Sequence, residues 1–355
     1  MTRLVCLFVS VVVLAGPARA DDTFVAKTQV YVDSDHTTVV SPLVALSRDA
    51  WRGGTLQASY VADIVSSASI DVVSNATKSM ADFRSEVNVG LQQKIAASTL
   101  AGHYIYSVEH DYSSHNFDIG LQQDFFKRNS TLAIGYNYAH NDVGRANDQL
   151  FHRTLDVHGL GISWTQTLSA KTLGQLSYTL GINEGYQASP YRFVRIVGGA
   201  ADVKVPETEP NERLRHAIVA GIQRHLFKDS ALHADYRFYI DSWGVSAHTI
   251  QLAYFIQFGD VTLRLRERFY YQAKANFFQT QYVNTDDQTY VSSDRELSTF
   301  WSNLVGVKVS WRLPWLQRAV ALEVKADVFY YGYIDYALLP WRVGANLSAG
   351  VSVLY

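Results

Sequence analysis

Apolar and polar residues alternate with a period of two through most of this chain. In one segment Phe83, Val87, Val89 and Leu91 alternate with Arg84, Glu86, Asn88 and Gln92. Side chains two residues apart share one face of a strand, so each such segment has an apolar side and a polar side. The pattern therefore predicts an all-β protein built from strands that are half apolar.

About sixteen segments follow this pattern, and most contain about 10 to 14 residues. Soluble strands average about five or six residues, whereas a tilted strand that crosses a membrane needs about nine to eleven. The predicted spans are 24–33, 37–47, 55–65, 83–94, 99–109, 115–126, 131–141, 154–166, 172–183, 213–226, 231–242, 247–258, 260–271, 299–311, 319–331 and 343–355. Their length favours membrane strands over the strands of a soluble propeller or solenoid.

The connections between these segments alternate between short turns and longer polar loops. Lys127–Ser130 and Phe227–Ser230 are short, whereas Glu184–Glu212 and Gln272–Ser298 are long. Outer-membrane barrels have short periplasmic turns at one end and long extracellular loops at the other. We therefore predict a transmembrane antiparallel up-and-down β-barrel of about 16 strands, with both chain ends on the periplasmic side.

The first twenty residues have the features of a cleaved export signal. Arg3 precedes the apolar run Leu4–Gly16, and the small residues Ala18 and Ala20 form the pattern that signal peptidase recognises. The run is too short to span a bilayer as a helix. We predict a signal peptide at 1–20 and an outer-membrane barrel at 21–355, located in the outer membrane of a Gram-negative bacterium.

Charge and cysteine content limit the classes of partner. Loss of Arg3 and Arg19 with the signal leaves a net charge of −4, and loss of Cys6 leaves no cysteine. A chain with this charge has no electrostatic reason to bind nucleic acid. The expected partners are outer-membrane lipid and the barrel-assembly machinery, and no partner protein is identified by the sequence.

Aromatic residues lie on the apolar side of many segments, as in the aromatic girdles of membrane barrels. Tyr60, Tyr136, Trp164 and Tyr236 are examples. The last segment alternates up to the terminal Tyr355. A final strand that ends on an aromatic residue resembles the signal recognised by the barrel-assembly machinery, so Tyr355 is the candidate assembly residue.

Two segments resemble a known family. The stretch 60–74 reads YVADIVSSASIDVVS and the stretch 183–192 reads NEGYQASPYR. With Ser41-Pro42 and the last strand, they are similar to the domain-of-unknown-function family 3570 of Gram-negative outer-membrane proteins. The resemblance implies an outer-membrane barrel over nearly the whole mature chain. It implies no particular activity.

The polar sides of several segments carry charged ladders that a barrel would direct into its lumen. The candidate pore-lining residues are Arg84, Glu86, His233, Asp235, Arg237, Asp241, Arg264, Arg266, Arg268, Lys308, Glu323, Lys325 and Asp327. They could line an aqueous pore and set its ion preference, as charged rings do in channels. They could also pair across strands and brace the wall, and both roles can hold together.

The leading prediction is a porin-like channel for passive passage of small polar solutes or ions, with no cofactor and no bound metal. Its long loops could fold inward and constrict the channel, or they could bind something outside. The run 191–195 could plug the lumen or extend a strand beyond the membrane, and we expect the strand extension. The alternative is a scaffold with a closed lumen that binds a partner. An enzyme is a distant third, because the histidines are scattered and neither a Gly-x-Ser-x-Gly nor a His-Glu-x-x-His motif is present. Asp286-Asp287 lacks the spacing of a calcium loop.

Overall fold

The structure is a computed structural model that describes residues 22–67, 80–146, 148–198, 202–283 and 288–355. The predicted signal peptide and the pair Asp286-Asp287 lie outside these residues. Within the described residues, sixteen antiparallel strands close into one barrel, so the predicted fold class is confirmed. Among the same residues, no helix is long and apolar enough to cross a membrane.

The barrel strands match the sixteen predicted segments in order, and most extend a few residues beyond them. They are β1 (Thr23–Asp33), β2 (Thr37–Trp51), β3 (Gly54–Ser67), β4 (Met80–Ile95), β5 (Ser98–Val108), β6 (Tyr112–Phe125), β7 (Ser130–Val143), β8 (Arg153–Ser169), β9 (Thr172–Gly185), β12 (Glu212–Phe227), β13 (Ser230–Asp241), β14 (Ser246–Phe258), β15 (Val261–Gln272), β16 (Phe300–Arg312), β17 (Val320–Tyr333) and β18 (Trp341–Leu354). A separate hairpin of β10 (Phe193–Ile196) and β11 (Val203–Pro206) lies in the loop after β9.

The barrel closes because the first strand pairs along its whole length with the last strand. Their register runs from Thr23 opposite Leu354 to Asp33 opposite Gly344. Each remaining barrel strand pairs with its neighbours in the chain, apart from β9, which pairs with β12 across the loop hairpin. Closure pairs every strand edge, which is the condition for a sheet to exist in lipid.

The apolar face of each strand points outward, as the alternation predicts. Large apolar side chains such as Ile119, Ile162 and Ile250 are about half exposed on this surface. Residues directly opposite each other in an antiparallel pair share a face, so the registers extend this outward surface from strand to strand. Tyr60, Tyr136, Trp164 and Tyr236 all belong to it.

The loop hairpin corrects one expectation. The run from Tyr191 to Arg195 does not extend β9, because Gly185 ends that strand with a φ of +122° and Phe193 begins β10. A Cβ at Gly185 would lie 2.3 Å from the carbonyl oxygen of Thr154, so the chain turns here only because the residue is glycine. The hairpin instead packs Val194 against Tyr282 and Val291 of the loop between β15 and β16.

Candidate functional site

All thirteen candidate pore-lining residues have the inward parity of their strands. The registers place Arg264 opposite Lys308, Lys308 opposite Lys325, and Asp235 opposite Gln251. Several of these side chains reach across an intervening strand to an opposite charge. Such contacts are possible on the concave side of a barrel, where side chains converge. The candidates therefore share the lumen, in separate groups around its wall.

One group centres on the carboxylate of Asp327, which is only 2 % exposed. It accepts hydrogen bonds from Arg266 Nη2 at 2.8 Å and forms an ion pair with Lys325 Nζ at 2.6 Å. Arg266 is on β15 and Asp327 is on β17, and the residue between them on β16 is Gly306. A Cβ at Gly306 would lie 2.0 Å from Asp327 Oδ1, so the acidic side chain lies flat against the wall over this glycine.

A second ion pair repeats this arrangement on the next strands. Lys27 on β1 lies 3.3 Å from Glu323 on β17, and Gly350 of β18 lies between them in the register. Glu323 also pairs with Lys308 of β16. In both cases an inward glycine lets an acid and a base meet across a strand while staying close to the wall.

Arg264, Arg266 and Arg268 form an arginine ladder on the inward face of β15. Arg264 and Arg268 differ from Arg266. Among the described residues, Arg264 and Arg268 form no salt bridge, although both point into the lumen. The Nε and Nη2 atoms of Arg264 are buried without a hydrogen-bond partner within the part of the chain that the structure describes. The ladder therefore presents two guanidinium groups that form no ion pair within the described residues.

The opposite wall carries acidic groups. In the order of strands around the barrel, β5 lies eight strands from β15 in either direction, so β4 to β6 face the arginine ladder. Arg84 and Glu86 of β4 form an ion pair with each other, and Arg84 also lies 3.8 Å from Asp63. Asp118 of β6 points into the same space and forms no ion pair with any described residue.

Asp241 has a different role from the rest of its ladder. Its Oδ1 accepts hydrogen bonds from the backbone N–H groups of Trp243 and Val245 at 2.9 and 3.0 Å, and its Oδ2 accepts from Tyr239 and Arg213. The residue is 7 % exposed. It therefore organises the turn between β13 and β14 and leaves no oxygen free for a solute.

The same turn arrangement occurs between β1 and β2, at residues that were not among the candidate positions. Asp33 Oδ1 accepts from the N–H groups of Asp35 and Thr37, both at 3.0 Å, and Tyr31 donates to Oδ2 at 2.6 Å. Arg342 of the adjacent strand lies 3.6 Å from the same oxygen. A Tyr-x-Asp tripeptide at a strand end, in 31–33 and 239–241, is the signal that could have identified both turns.

The remaining candidates of β13 lie lower on the same wall. His233 packs its ring against Phe255 at a centroid distance of 4.5 Å. Asp235 lies over Gly221, where a Cβ would come within 2.5 Å of its Oδ1. Arg237 lies 5.7 Å from the ring of Tyr239. These side chains, too, lie along the wall.

The long loops fold inward over the mouth of the barrel. The loop 273–298 packs Ala275, Phe278 and Leu297 against the inward residues Phe300 and Tyr333 at the strand ends. Apolar burial on the lumen side holds the loop there, because the inner wall is otherwise polar. The loop thus narrows the mouth beside β13 to β17.

Side-chain contacts also connect the loops across the mouth. Tyr191 donates a hydrogen bond to Asp111 in the connection between β5 and β6. The adjacent Arg192 pairs with Asp294, and Arg295 pairs with Asp35 in the turn between β1 and β2. The contacts form a line from one side of the mouth to the other.

Two glutamates lie where the loop hairpin meets the loop 273–298. Glu207 is 3 % exposed and accepts a hydrogen bond from the N–H of Ser293 at 2.8 Å, and Glu209 accepts from Ser292 Oγ at 3.1 Å. Burial raises the pKa of Glu207 to about 7. Burial, with the neighbouring charge of Glu207, raises the pKa of Glu209 to about 8.

The histidines of the β5–β6 hairpin do not form a cluster. His103 points into the lumen beside Asn88, whereas His115 points outward and accepts a hydrogen bond from Tyr104. Within the described residues, no group of three or more His, Cys, Asp or Glu side chains is arranged to hold a metal ion. Tyr355 follows β18, and its N–H donates to the carbonyl of Asp22, which joins the end of the last barrel strand to the start of the first.

Solved structures with the same architecture are outer-membrane proteins. The chain is similar to CdiB from Acinetobacter baumannii, with 9 % identity, a TM-score of 0.53, and coverage of 93 % of this chain and 60 % of CdiB. It is also similar to a bacterial polysaccharide outer membrane secretin, with 6 % identity, a TM-score of 0.52, and coverage of 95 % and 99 %. The siderophore receptor PirA from Pseudomonas aeruginosa aligns at 11 % identity and a TM-score of 0.48, over 89 % of this chain and 57 % of the receptor.

The chain is therefore an outer-membrane β-barrel by fold, of the kind that sits in a lipid bilayer. At these identities the likeness concerns the fold alone, and the chain spans about 60 % or less of the length of CdiB and PirA. No curated protein matches the chain. Residues 72–333 match the family described as "Protein of unknown function (DUF3570)", so the chain belongs to that family and the predicted resemblance is confirmed.

Proposed function

We propose that this barrel is a porin-like channel for passive diffusion of small polar solutes or ions across the outer membrane. Transport through it requires no covalent step and no cofactor. The observation that carries the proposal is the distribution of unpaired charge in the lumen, with Arg264 and Arg268 on one wall and Asp118 on the wall that faces them.

The size of the barrel supports an open path for solutes at the height of Arg264, Arg268 and Asp118. A barrel of sixteen strands, spaced about 4.8 Å apart and tilted by about 40°, measures about 30 Å between opposite backbones. Charged side chains that lie flat over Gly306, Gly221 and Gly350 occupy less of this width than side chains that project inward. This geometry supports a water-filled space between the charged walls that face each other.

The charge distribution supports a preference among solutes. The pairs Arg266–Asp327 and Lys27–Glu323 largely cancel, which leaves the field to the second cation of each group, Lys325 and Lys308, and to the groups that form no ion pair. This field runs across the lumen from the arginine ladder toward Asp118. It favours anions near one wall and orients dipolar solutes. The net preference is for anions, because the inward cations without a carboxylate of their own outnumber the inward carboxylates without a cation; the former include Arg237, Arg264, Arg268, Lys308 and Lys325, and the latter include Asp118 and Asp235.

The line of contacts across the mouth favours a second candidate, a barrel with a closed lumen that binds a partner through its loops. Tyr191 and Arg192 belong to a loop that reaches both Asp111 and Asp294. In the channel proposal these contacts narrow the entrance. In the second proposal they seal it.

Conductance of the purified, folded protein in planar bilayers separates the two candidates. The channel proposal predicts steady steps with an anion preference, and the double variant Arg264→Glu with Arg268→Glu should shift the reversal potential toward cations under a tenfold salt gradient. Arg52→Glu with Lys127→Glu is the matched control, because the same total charge change in two exposed turns leaves the lumen intact.

The mouth is tested with a variant that removes two of its cross-contacts, Arg192→Ala with Arg295→Ala. An increase in conductance would support a channel constricted by its loops. Silence from both the folded parent protein and this variant would overturn the channel proposal in favour of the closed barrel.

A further inference from the structure

Among the described residues, a tyrosine–histidine pair recurs four times on the outward face of the barrel, always across a hairpin on the loop side. The tyrosine hydroxyl lies 2.7 or 2.8 Å from the histidine Nδ1 in every case, and the ring planes meet at 26 to 32°. The pairs are Tyr104 with His115, Tyr136 with His158, Tyr178 with His216, and Tyr236 with His248. Their strands, β5 to β9 and β12 to β14, adjoin one another around half of the barrel.

The four histidines lie at one height. His115 is ten residues from the end of β6 at Phe125, and His248 is ten residues from the end of β14 at Phe258. His158 and His216 are each eleven residues from the corresponding ends of β8 and β12. Ten residues of a strand tilted by about 40° rise about 25 Å, which is the height of the apolar band of an outer-membrane barrel.

The residue pattern on the outward face places the upper edge of this band at the histidines. Below His248, the outward residues Ile250, Leu252 and Tyr254 are apolar or aromatic. Directly above the histidines the outward positions are polar on three strands, with Ser113 on β6, Asp156 on β8 and Ser246 on β14, whereas Leu214 on β12 and Ile240 on β13 are still apolar. The imidazoles therefore lie where hydrocarbon gives way to lipid headgroups.

The hydrogen bond from tyrosine fixes the tautomer of each ring. A phenol is a better donor than a neutral imidazole N–H, and an imidazole nitrogen is a better acceptor than a phenol oxygen. The tyrosine therefore donates to Nδ1, and the proton of the neutral ring lies on Nε2. Each ring then presents an Nε2–H donor away from its tyrosine, at the height of the headgroups.

We infer that this row of imidazoles binds the phosphate groups of lipids in the outer leaflet, with Nε2–H as the donor. Phosphate oxygens are strong acceptors and are the anionic groups found at that depth, and hydrogen bonds to charged acceptors are stronger than neutral ones. No Lys or Arg of the described strands points outward at this height. Asp156, which lies two residues from His158 on the same face of β8, accepts a hydrogen bond from His140 at 2.8 Å and so already has a partner other than the histidine row.

The spacing predicts one phosphate for each pair. Successive pairs are two strands apart, which corresponds to about 12 Å around the barrel. That separation is too large for two rings to share one phosphate group. The inference does not depend on whether the lumen conducts.

The test measures lipid binding to the purified barrel by native mass spectrometry, with a diphosphorylated outer-leaflet glycolipid and the same glycolipid without its phosphates. The fourfold variant His115→Phe, His158→Phe, His216→Phe, His248→Phe keeps the rings and removes the donors. Since each lost charge-assisted hydrogen bond contributes enough for about a tenfold change in affinity, we expect binding of the phosphorylated lipid to weaken at least tenfold. Binding of the dephosphorylated lipid should not change.

His110→Phe with His225→Phe is the control, since both histidines lie outside the row and should leave binding intact. Added inorganic phosphate should not compete, because the proposed ligand is anchored by its lipid chains. If the fourfold variant does not fold, His248→Phe alone should lower the maximum number of tightly bound lipids by one. Equal affinity of the folded variant and the parent protein for the phosphorylated lipid, or no preference of the parent protein for that lipid, would overturn the inference.

Discussion

Replacement of Asp327 by alanine tests whether the lumen charges brace the barrel. The carboxylate is 2 % exposed and holds two cations, Arg266 at 2.8 Å and Lys325 at 2.6 Å. Their side chains are only 20 % and 19 % exposed, so water can replace the carboxylate only in part. Breaking a buried ion pair from one side costs about 3 to 5 kcal/mol, and the partial contact with lumen water places this variant near 3 kcal/mol.

The free energy of unfolding is measured by denaturant titration of the barrel folded in lipid vesicles, with gel mobility as the check for the closed form. Asp118→Ala is the matched control, because it removes a lumen carboxylate that has no ion pair among the described residues and should cost less than 1 kcal/mol. Adding Arg266→Met to Asp327→Ala should recover about 1 to 2 kcal/mol by removing one stranded cation. Equal losses for Asp327→Ala and Asp118→Ala would refute the bracing role.

Three further outcomes are expected. Gly306→Ala should lower the free energy of unfolding by about 1 to 3 kcal/mol through steric overlap with the carboxylate above it, whereas Gly161→Ala, with nothing within 4 Å of a Cβ, should have little effect in the same titration. Glu267→Leu, which removes an exposed carboxyl from the lipid-facing surface, should stabilise the barrel by about 1 kcal/mol. The pKa values of Glu207 and Glu209 are raised in the folded state, so protonation of these two carboxyl groups stabilises the folded loops. Protection of the loops from proteolysis should therefore be complete near pH 4.5 and should decrease as the pH rises through 7 to 8.

The strands could be predicted from the sequence because each carries its own local signal. A segment such as 247–258 alternates for its whole length, and its apolar parity fixes which side chains face lipid. Once sixteen such segments are placed in order, the closed antiparallel barrel follows, since no other arrangement satisfies every strand edge in a membrane.

The arrangement of the mouth could not be predicted in this way. The contact of Tyr191 with Asp111 joins residues 80 positions apart, and that of Arg192 with Asp294 joins residues 102 positions apart. No periodic pattern marks either partner, because such contacts depend on how loops of unequal length meet. The short hairpin 193–206 was missed for the same reason, since four-residue strands are too short to show alternation.

The row of outward histidines could be predicted from the sequence only in part. Each position could be assigned to the outward face from sequence, as the parity of His216 indicates. The pairing of His216 with Tyr178 depends on the register between β9 and β12, which is set across a long loop. Only the register shows that four such pairs lie at one height.

The inward glycines connect the stability of this barrel with its proposed transport. Gly306 and Gly350 let a base and an acid meet across a strand, so their charges cancel close to the wall and strengthen it. The same cancellation leaves the lumen field to the second cation of each group, Lys325 and Lys308, and to the groups that form no ion pair, among them Arg268 and Asp118. Stability and ion preference should therefore depend on different residues of the same wall. A change at Asp327 that altered ion preference more than stability would argue against this separation.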